Sequence, residues 1–330
     1  MGFENQDVER KELSILKVLS ECQEPVGARI TAQRLKDHGI ELGERTVRYH
    51  LKLMDERGLT RLVGRDGRLL TNQGEDELRS ALVKDKVGLA ISKINVLAFG
   101  TDFDYEKLRG SIPVNISFFP KEKFIRALQA MKPAFEHGFC VSDLVAVAPE
   151  GERLGELIVP DGKMGLATVS SIVINGALLK TGVPVESKFG GILQVRNHKP
   201  LRFIELIQYA GSSLDPSEVF IRAKMTNVRA AAKSGDGKIL ANFCEIPAVC
   251  RKIADEVLAR LQETRLGGLL AMGNTSDPVF ETNVALNRIG TVVLGGMNPL
   301  AAAEEAGFEA DNHAMCTLLD YKDLVIFGEL

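Results

Sequence analysis

The chain has no apolar run long enough to span a bilayer. Its longest uncharged apolar stretch, residues 164–179, is interrupted by Gly165, Thr168, Ser170, Ser171, Asn175 and Gly176, short of the roughly 20 residues a membrane helix needs. The start, MGFENQDVERK, is acidic and lacks the apolar core of a secretory signal. Position 6 is Gln rather than Ser or Thr, so the myristoylation pattern is incomplete. A membrane role is excluded on this reading, and a cytoplasmic location is expected. Five cysteines (Cys22, Cys140, Cys244, Cys250, Cys316) form no Cys-x-x-Cys pair, and no histidine cluster completes a zinc site. They read as reduced, mostly buried thiols. Catalytic signatures are missing too: no nucleophile elbow, Walker-type phosphate loop, dinucleotide fingerprint or His-Glu-x-x-His motif occurs. The five histidines (38, 50, 137, 198 and 313) are dispersed. No enzyme and no cofactor are expected. Nor is there excess positive charge: the formal net charge is −3, so any contact with nucleic acid must be local. Residues 1–72 hold 13 Lys and Arg against 12 Asp and Glu, and the remainder 28 against 32, a near-neutral head on an acidic body.

What is present starts with residues 43–68, GERTVRYHLKLMDERGLTRLVGRDGR. Val47, Leu51 and Met54 recur at the spacing of a buried helix face. Arg45, Arg48, Tyr49 and Lys52 recur on roughly the opposite side. Gly58 ends the helix, and two short apolar runs then flank Arg65-Asp66-Gly67-Arg68, where Asp-Gly is the favoured centre of a tight hairpin turn. A basic-faced helix followed by a basic-tipped hairpin is how a winged helix meets duplex DNA. Arg45, Thr46 and Arg48 lie at the helix N-terminal end, where recognition helices meet base edges, and arginine can pair bidentately with guanine. Tyr49, His50 and Lys52 suit phosphate or groove-wall contacts. Arg65 and Arg68 would reach flanking backbone or minor groove.

Upstream, Leu13, Ile15, Leu16 and Leu19 mark a first helix, Pro25 and Gly27 a turn, and Thr31 the N-cap of a second helix closed by Gly39. Three helices plus a hairpin is the winged helix-turn-helix plan. The organisation expected is a mainly α winged-helix DNA-binding domain over residues 1–72, a helical linker over 73–86, and a mixed α+β regulatory domain over 87–330. The polar stretch 71–84, with Leu78 and Leu82 one turn apart, reads as a connector, either a plain linker or a helix that pairs protomers.

The body is Gly-rich and studded with β-branched runs. Strands are expected at 95–99, 114–118, 141–148, 167–174, 191–195, 219–225, 269–272 and 291–294, and helices at 121–136, at 248–264 and from Pro299. The order helix, strand, loop, strand, Gly-containing turn, short helix occurs twice, which points to an internally duplicated α/β unit. The Gly295-Gly296-Met297-Asn298-Pro299 turn, with Asn298 as N-cap and Pro299 at the first helical position, is a ready anion site. Asn175-Gly176 is its counterpart, and Lys188 and Arg202 supply cations that could balance a carboxylate. An enzyme or a partner-binding protein with an autoregulatory winged helix is the alternative. The basic face of Arg45, Arg48 and Lys52 speaks against a partner-binding winged helix, which would more often carry apolar or acidic residues there.

Longer motifs carry a resemblance. The head resembles the ribonuclease R-type winged-helix domain. The body resembles the regulatory domain of the NrpR nitrogen repressors of methanogenic archaea, through SSIVINGALLKTGVPVESKFGG, PLRFIELIQYAGSSLDPSEVFI, MTNVRAAAKSGDGKILANFCEIP and VVLGGMNPLAAAEEAG. That resemblance implies a repressor that binds operator DNA as a dimer or higher oligomer and is released by 2-oxoglutarate. The archetype carries two regulatory-domain copies, whereas this chain has room for one. A dicarboxylate effector would sit between the helix N-termini near Asn175 and Asn298, aided by Lys188 or Arg202.

Overall fold

The computed structural model describes residues 2–22, 24–37, 39–64, 66–81 and 88–330. The chain divides into two compact units, Met1–Val87 and Gly88–Leu330. In the first, helices α1 (Gly2–Ser20), α2 (Ala28–Asp37) and α3 (Glu44–Glu56) precede a hairpin of β1 (Thr60–Val63) and β2 (Gly67–Leu70) and a helix α4 (Asn72–Ala81). Ile15, Leu16, Leu19, Leu35, Val47, Leu51 and Met54 are almost fully buried in one core, which is why the 3.6-residue stripes exist. The 72–81 helix packs on α1 and places Leu78 in this core. Leu82 lies outside the described residues.

Two local expectations shift. Thr31 stands inside α2, and its hydroxyl donates to the Gly27 carbonyl at 3.1 Å, so it does not cap the helix. Asp66-Gly67 is not a two-residue turn: Val63 pairs with Gly67, so three residues join the strands. Gly67 has φ +130° and lies so close to Val26 that a Cβ would stand 2.3 Å from the Val26 carbonyl carbon. Only glycine lets the hairpin reach the α1–α2 connection, where Val26 and Arg68 exchange backbone hydrogen bonds of 2.9 and 3.0 Å.

The second unit runs α5 (Leu89–Gly100), β3 (Ser111–Pro120), α6 (Phe124–Glu136), β4 (Leu144–Pro149), the short pair β5 (Arg153–Leu154) and β6 (Leu157–Ile158), β7 (Lys163–Val169) and α7 (Ile172–Lys180). It continues through β8 (Glu186–Arg196), β9 (Lys199–Gln208), α8 (Pro216–Arg222), α9 (Val228–Ser234), β10 (Gly237–Pro247), α10 (Arg251–Glu263), β11 (Leu269–Thr275), β12 (Arg288–Leu294), α11 (Asn298–Glu305), β13 (Asp311–Asp320) and β14 (Val325–Ile326). Two five-stranded sheets result, ordered β13-β3-β7-β4-β14 and β8's sheet β11-β12-β10-β8-β9, with antiparallel neighbours throughout. In each, a long strand ending in proline (Pro120 or Pro247) leads through a 3₁₀ turn into a 13-residue helix. Each sheet also exports a strand: β8, after α7, joins β10, and β13, after α11, joins β3.

Three expected strands are helix in whole or part. Residues 95–99 lie in α5 and 219–222 in α8, while 167–174 is strand only to Val169 before α7 begins at Ile172. Asp215 explains the second case. Its side chain accepts hydrogen bonds from the Ser217 and Glu218 amides, with Pro216 at the helix start, and this cap outweighs the β-branched run that follows. The Ser170-Ser171 pair similarly ends β7. Among the described residues no helix is long and apolar enough to cross a membrane, and no three His, Cys, Asp or Glu side chains gather as a metal site.

Candidate nucleic-acid interface and effector cavity

Helix α3 presents the head's basic face. Arg45, Thr46, Arg48, Tyr49 and Lys52 are exposed, while Val47, His50, Leu51 and Met54 are buried. Arg48 pairs with Glu44 one turn away, and Lys52 Nζ lies 4.0 Å from Glu56 Oε1. Both are exposed i, i+4 pairs worth only a few tenths of a kcal/mol, so they hold the two cations only weakly.

Two sequence expectations fail here. His50 is 4% exposed, with its Nδ1 3.7 Å from Glu12 Oε1, so it belongs to the inward stripe and cannot contact a groove wall. Arg68 is turned inward as well. Its Nε donates to Asp55 Oδ2 at 2.7 Å, and Asp55 Oδ1 accepts from Thr60 Oγ1 at 2.6 Å. Arg68 therefore clamps the hairpin to α3 instead of reaching DNA. Arg65 lies outside the described residues. Arg61, which sequence reasoning passed over, is an exposed cation on β1; alternation along the hairpin was the signal for it.

In the body a cavity of about 30 Å³ opens between the two sheets, more than the roughly 10–15 Å³ a single water requires. Its polar lining comes from Asn115 on β3, Asn242 on β10, Ser170 and Ser171 at the start of α7, Asn175 within α7, Tyr209, and Asp215 with Ser217 at the start of α8. Gly296 and Met297, at the start of α11, complete it. Among the described residues no Lys, Arg or His lines it. Tyr209 Oη donates to Asn242 Oδ1 at 2.7 Å, Asn242 Nδ2 to Ser171 Oγ at 2.8 Å, and Asn175 Nδ2 to Ser187 Oγ at 2.9 Å. Asn115 Oδ1 accepts from the Met315 amide at 3.0 Å. Asn115 Nδ2, in a residue 3% exposed, has no hydrogen-bond partner among the described residues. Burial, reinforced by the Glu218 charge, pushes the Asp215 carboxyl up to about 6. Burial, then the Asp215 and Cys244 charges, also raises the Tyr209 phenol.

Of the seven residues expected to hold an effector, Asn175 and Gly296 line this cavity and five do not. Gly176 is packed against Thr101, where a Cβ would stand 2.4 Å from the threonine Cβ. Gly295 backs onto Leu240 in the same way. Asn298 is fully buried; its side chain accepts from the Leu240 amide at 2.7 Å and donates to the Leu240 carbonyl at 3.0 Å. It splices α11 to β10 and neither caps its helix nor meets a ligand. Lys188 Nζ is held 2.5 Å from Glu186 Oε1 and 3.6 Å from the buried Glu245. Arg202 stands on β9, 3.7 Å from Glu281. The cations expected to balance a carboxylate are thus committed elsewhere, and the polar lining consists of amides, hydroxyls and the Asp215 carboxyl.

The chain matches the family described as NrpR regulatory domains NRD1 and 2 over residues 87–325, and the ribonuclease R winged-helix domain over residues 13–78. It is 38% identical to the global nitrogen regulator NrpRI of Methanosarcina mazei, over 96% of this chain and 98% of that one. It is 32% identical to the global nitrogen regulator NrpR of Methanococcus maripaludis and 30% identical to that of Methanocaldococcus jannaschii. These alignments cover 95% and 96% of this chain but only 54% and 55% of those longer proteins. A crystal structure of a nitrogen repressor-like protein from Methanococcus jannaschii matches 72% of this chain and 98% of its own, with a TM-score of 0.62 and 28% identity. With a family match over most of its length and a relative aligned nearly end to end, the chain belongs to the NrpR nitrogen-regulator family, carrying a winged-helix head before an NrpR regulatory domain.

Proposed function

We propose that this chain is a ligand-responsive transcriptional repressor that binds operator DNA through α3 and responds to a small anionic metabolite through the regulatory domain. One observation carries the DNA reading: Arg45, Arg48, Tyr49 and Lys52 stand exposed along one face of the helix that precedes the wing, in a chain whose relatives are named nitrogen regulators. Arg45, Thr46 and Arg48 read base edges, Tyr49 and Lys52 hold phosphates, and Arg61 touches the flanking backbone. Two copies would present two such helices to half-sites one helical turn apart, so the working species is a homodimer or higher oligomer. No metal or cofactor takes part.

The effector reading rests on the cavity. Four strands follow the same order in the two sheets (β13-β3-β7-β4 and β8-β10-β12-β11), which supports an internally duplicated unit, and its two strand-to-helix turns, at Ser170-Ser171 and Gly295-Gly296, pack against one another beside the cavity. Helix starts favour negative charge, and 2-oxoglutarate is the effector the family resemblance implies. A volume of about 30 Å³ takes a carboxylate head but not a whole dicarboxylate, so the ligand must widen the cleft between the sheets. An effector that binds the widened form better shifts the equilibrium by its differential affinity, about 1–3 kcal/mol for ordinary allosteric coupling. Repression is relieved if the widened form holds the heads out of operator spacing.

The test is a gel-shift titration of the chain's own promoter with wild type and Arg48→Ala. Loss of the specific shift with unchanged 2-oxoglutarate binding is expected; unchanged DNA affinity would remove α3 from the interface.

A further inference from the structure

The two turns facing the cavity differ in one respect that decides where a ligand binds. Asn115 is paired across the sheet with Thr168, and Asn242 with Val293. Each asparagine stands five residues before the proline that closes its strand, Pro120 or Pro247. Three residues beyond the paired position comes Ser171 in one half and Gly296 in the other. Ser171 Oγ accepts the Asn242 amide hydrogen at 2.8 Å. Gly296 has no side chain to offer, and the Asn115 amide hydrogens have no partner. A Cβ built on Gly296 would lie 2.5 Å from the Val169 carbonyl oxygen and 2.7 Å from Asn115 Nδ2, so no side chain fits there, and the amide lies against the Gly296 backbone at the cavity wall.

We infer that Asn115 Nδ2 is the donor by which the cavity recognises its ligand, and that the group bound there is a single carboxylate, on the Gly296 side only. In the other half the Ser171 hydroxyl oxygen stands where that carboxylate oxygen sits. A buried donor left unmatched costs free energy, and an acceptor oxygen is what matches it. The N-terminal ends of α7 and α11, of nine and eight residues, add positive potential at the same place. A neutral acceptor would gain less from those ends, and the carboxyl in the lining that opposes an anion, Asp215, already accepts from the Ser217 and Glu218 amides. The inference deepens the effector reading above and depends on it for the identity of the probe.

Asn115→Asp is the informative variant. It keeps the side-chain shape and an oxygen for the Met315 amide, but removes both donors and places a negative charge against the ligand. Asn115→Leu removes the donors without burying a charge, should the aspartate prevent folding. Asn298→Leu is the control, a fully buried asparagine outside the cavity whose loss breaks the α11–β10 link. Calorimetric titration of the full chain with 2-oxoglutarate, and with acetate as the bare head group, is read together with the thermal midpoint. We expect affinity for 2-oxoglutarate to fall about tenfold or more in both Asn115 variants, the scale of one hydrogen bond to a charged group. Asn298→Leu should lower the midpoint yet bind within about threefold of wild type, a shift well below that hydrogen-bond scale. Wild-type affinity in either Asn115 variant overturns the inference while leaving the effector reading intact, as does equal loss in Asn298→Leu. If the wild-type chain binds neither acid, the inference and the effector reading both fall.

Discussion

Arg68 and Asp55 illustrate how single charges divide their work in the head. A guanidinium only 15% exposed, donating to a carboxylate 25% exposed, is held away from any ligand and joins wing to helix. Removing it as Arg68→Ala leaves Asp55 half-buried with one partner fewer, and should cost about 1–2 kcal/mol of head stability, measured by urea unfolding. DNA contacts by Arg45 and Arg48 would be lost only as far as the wing loosens. If Arg68→Ala is as stable as wild type but loses DNA, Arg68 is a contact after all. His50 teaches the same lesson from the other side. Its position, three beyond Val47 and four before Met54, is that of the buried stripe, so its burial was legible in the spacing once polarity was set aside. Asn115 was legible too, in the paired distances from Asn115 to Pro120 and Asn242 to Pro247. A lone asparagine inside an apolar strand hides that signal until the second copy is aligned. What no spacing gives is which hydrogen of a buried amide lacks a partner.

At the scale of elements, α3 and the two long body helices, α6 and α10, followed directly from their apolar periodicity. The errors fell on short apolar segments, where strand and buried helix share a pattern. Residues 95–99 and 219–222 have the composition of strands, and only Gly88 before one and Asp215-Pro216 before the other mark helix starts. Helix α8 makes a prediction of its own. Its capping carboxyl, Asp215, is pushed up to about 6, above the roughly 3.9 of an unfolded chain. Between these values the folded chain keeps a proton that the unfolded chain releases. Stability is therefore lost as pH rises from about 4 to about 6, by about 3 kcal/mol. Asp215→Asn, which still caps a helix, should lack this loss, so its stability relative to wild type should rise across that window and level off above it. Denaturant titrations at several pH values check this; parallel profiles for the two proteins would contradict it.

At the scale of the whole molecule, the chain joins a winged-helix head to a body whose two sheets meet at a polar cavity. The general plan was legible because winged helices and repeated strand-helix units leave strong local signatures. The exchange of β8 and β13 between sheets was not, because pairing between strands distant in sequence leaves no local pattern. Nor was the fate of Lys188 and Arg202, since a cation's partner is fixed by tertiary packing. The central claim is that occupancy of the body controls the grip of the head. Fluorescence anisotropy of a labelled duplex from the chain's own promoter, titrated with the full chain at fixed salt, measures this directly. With saturating 2-oxoglutarate the apparent Kd should rise roughly 5- to 150-fold, and Asn115→Asp should bind DNA as wild type does but need about tenfold or more 2-oxoglutarate for the same response. An unchanged Kd with 2-oxoglutarate bound would contradict the account.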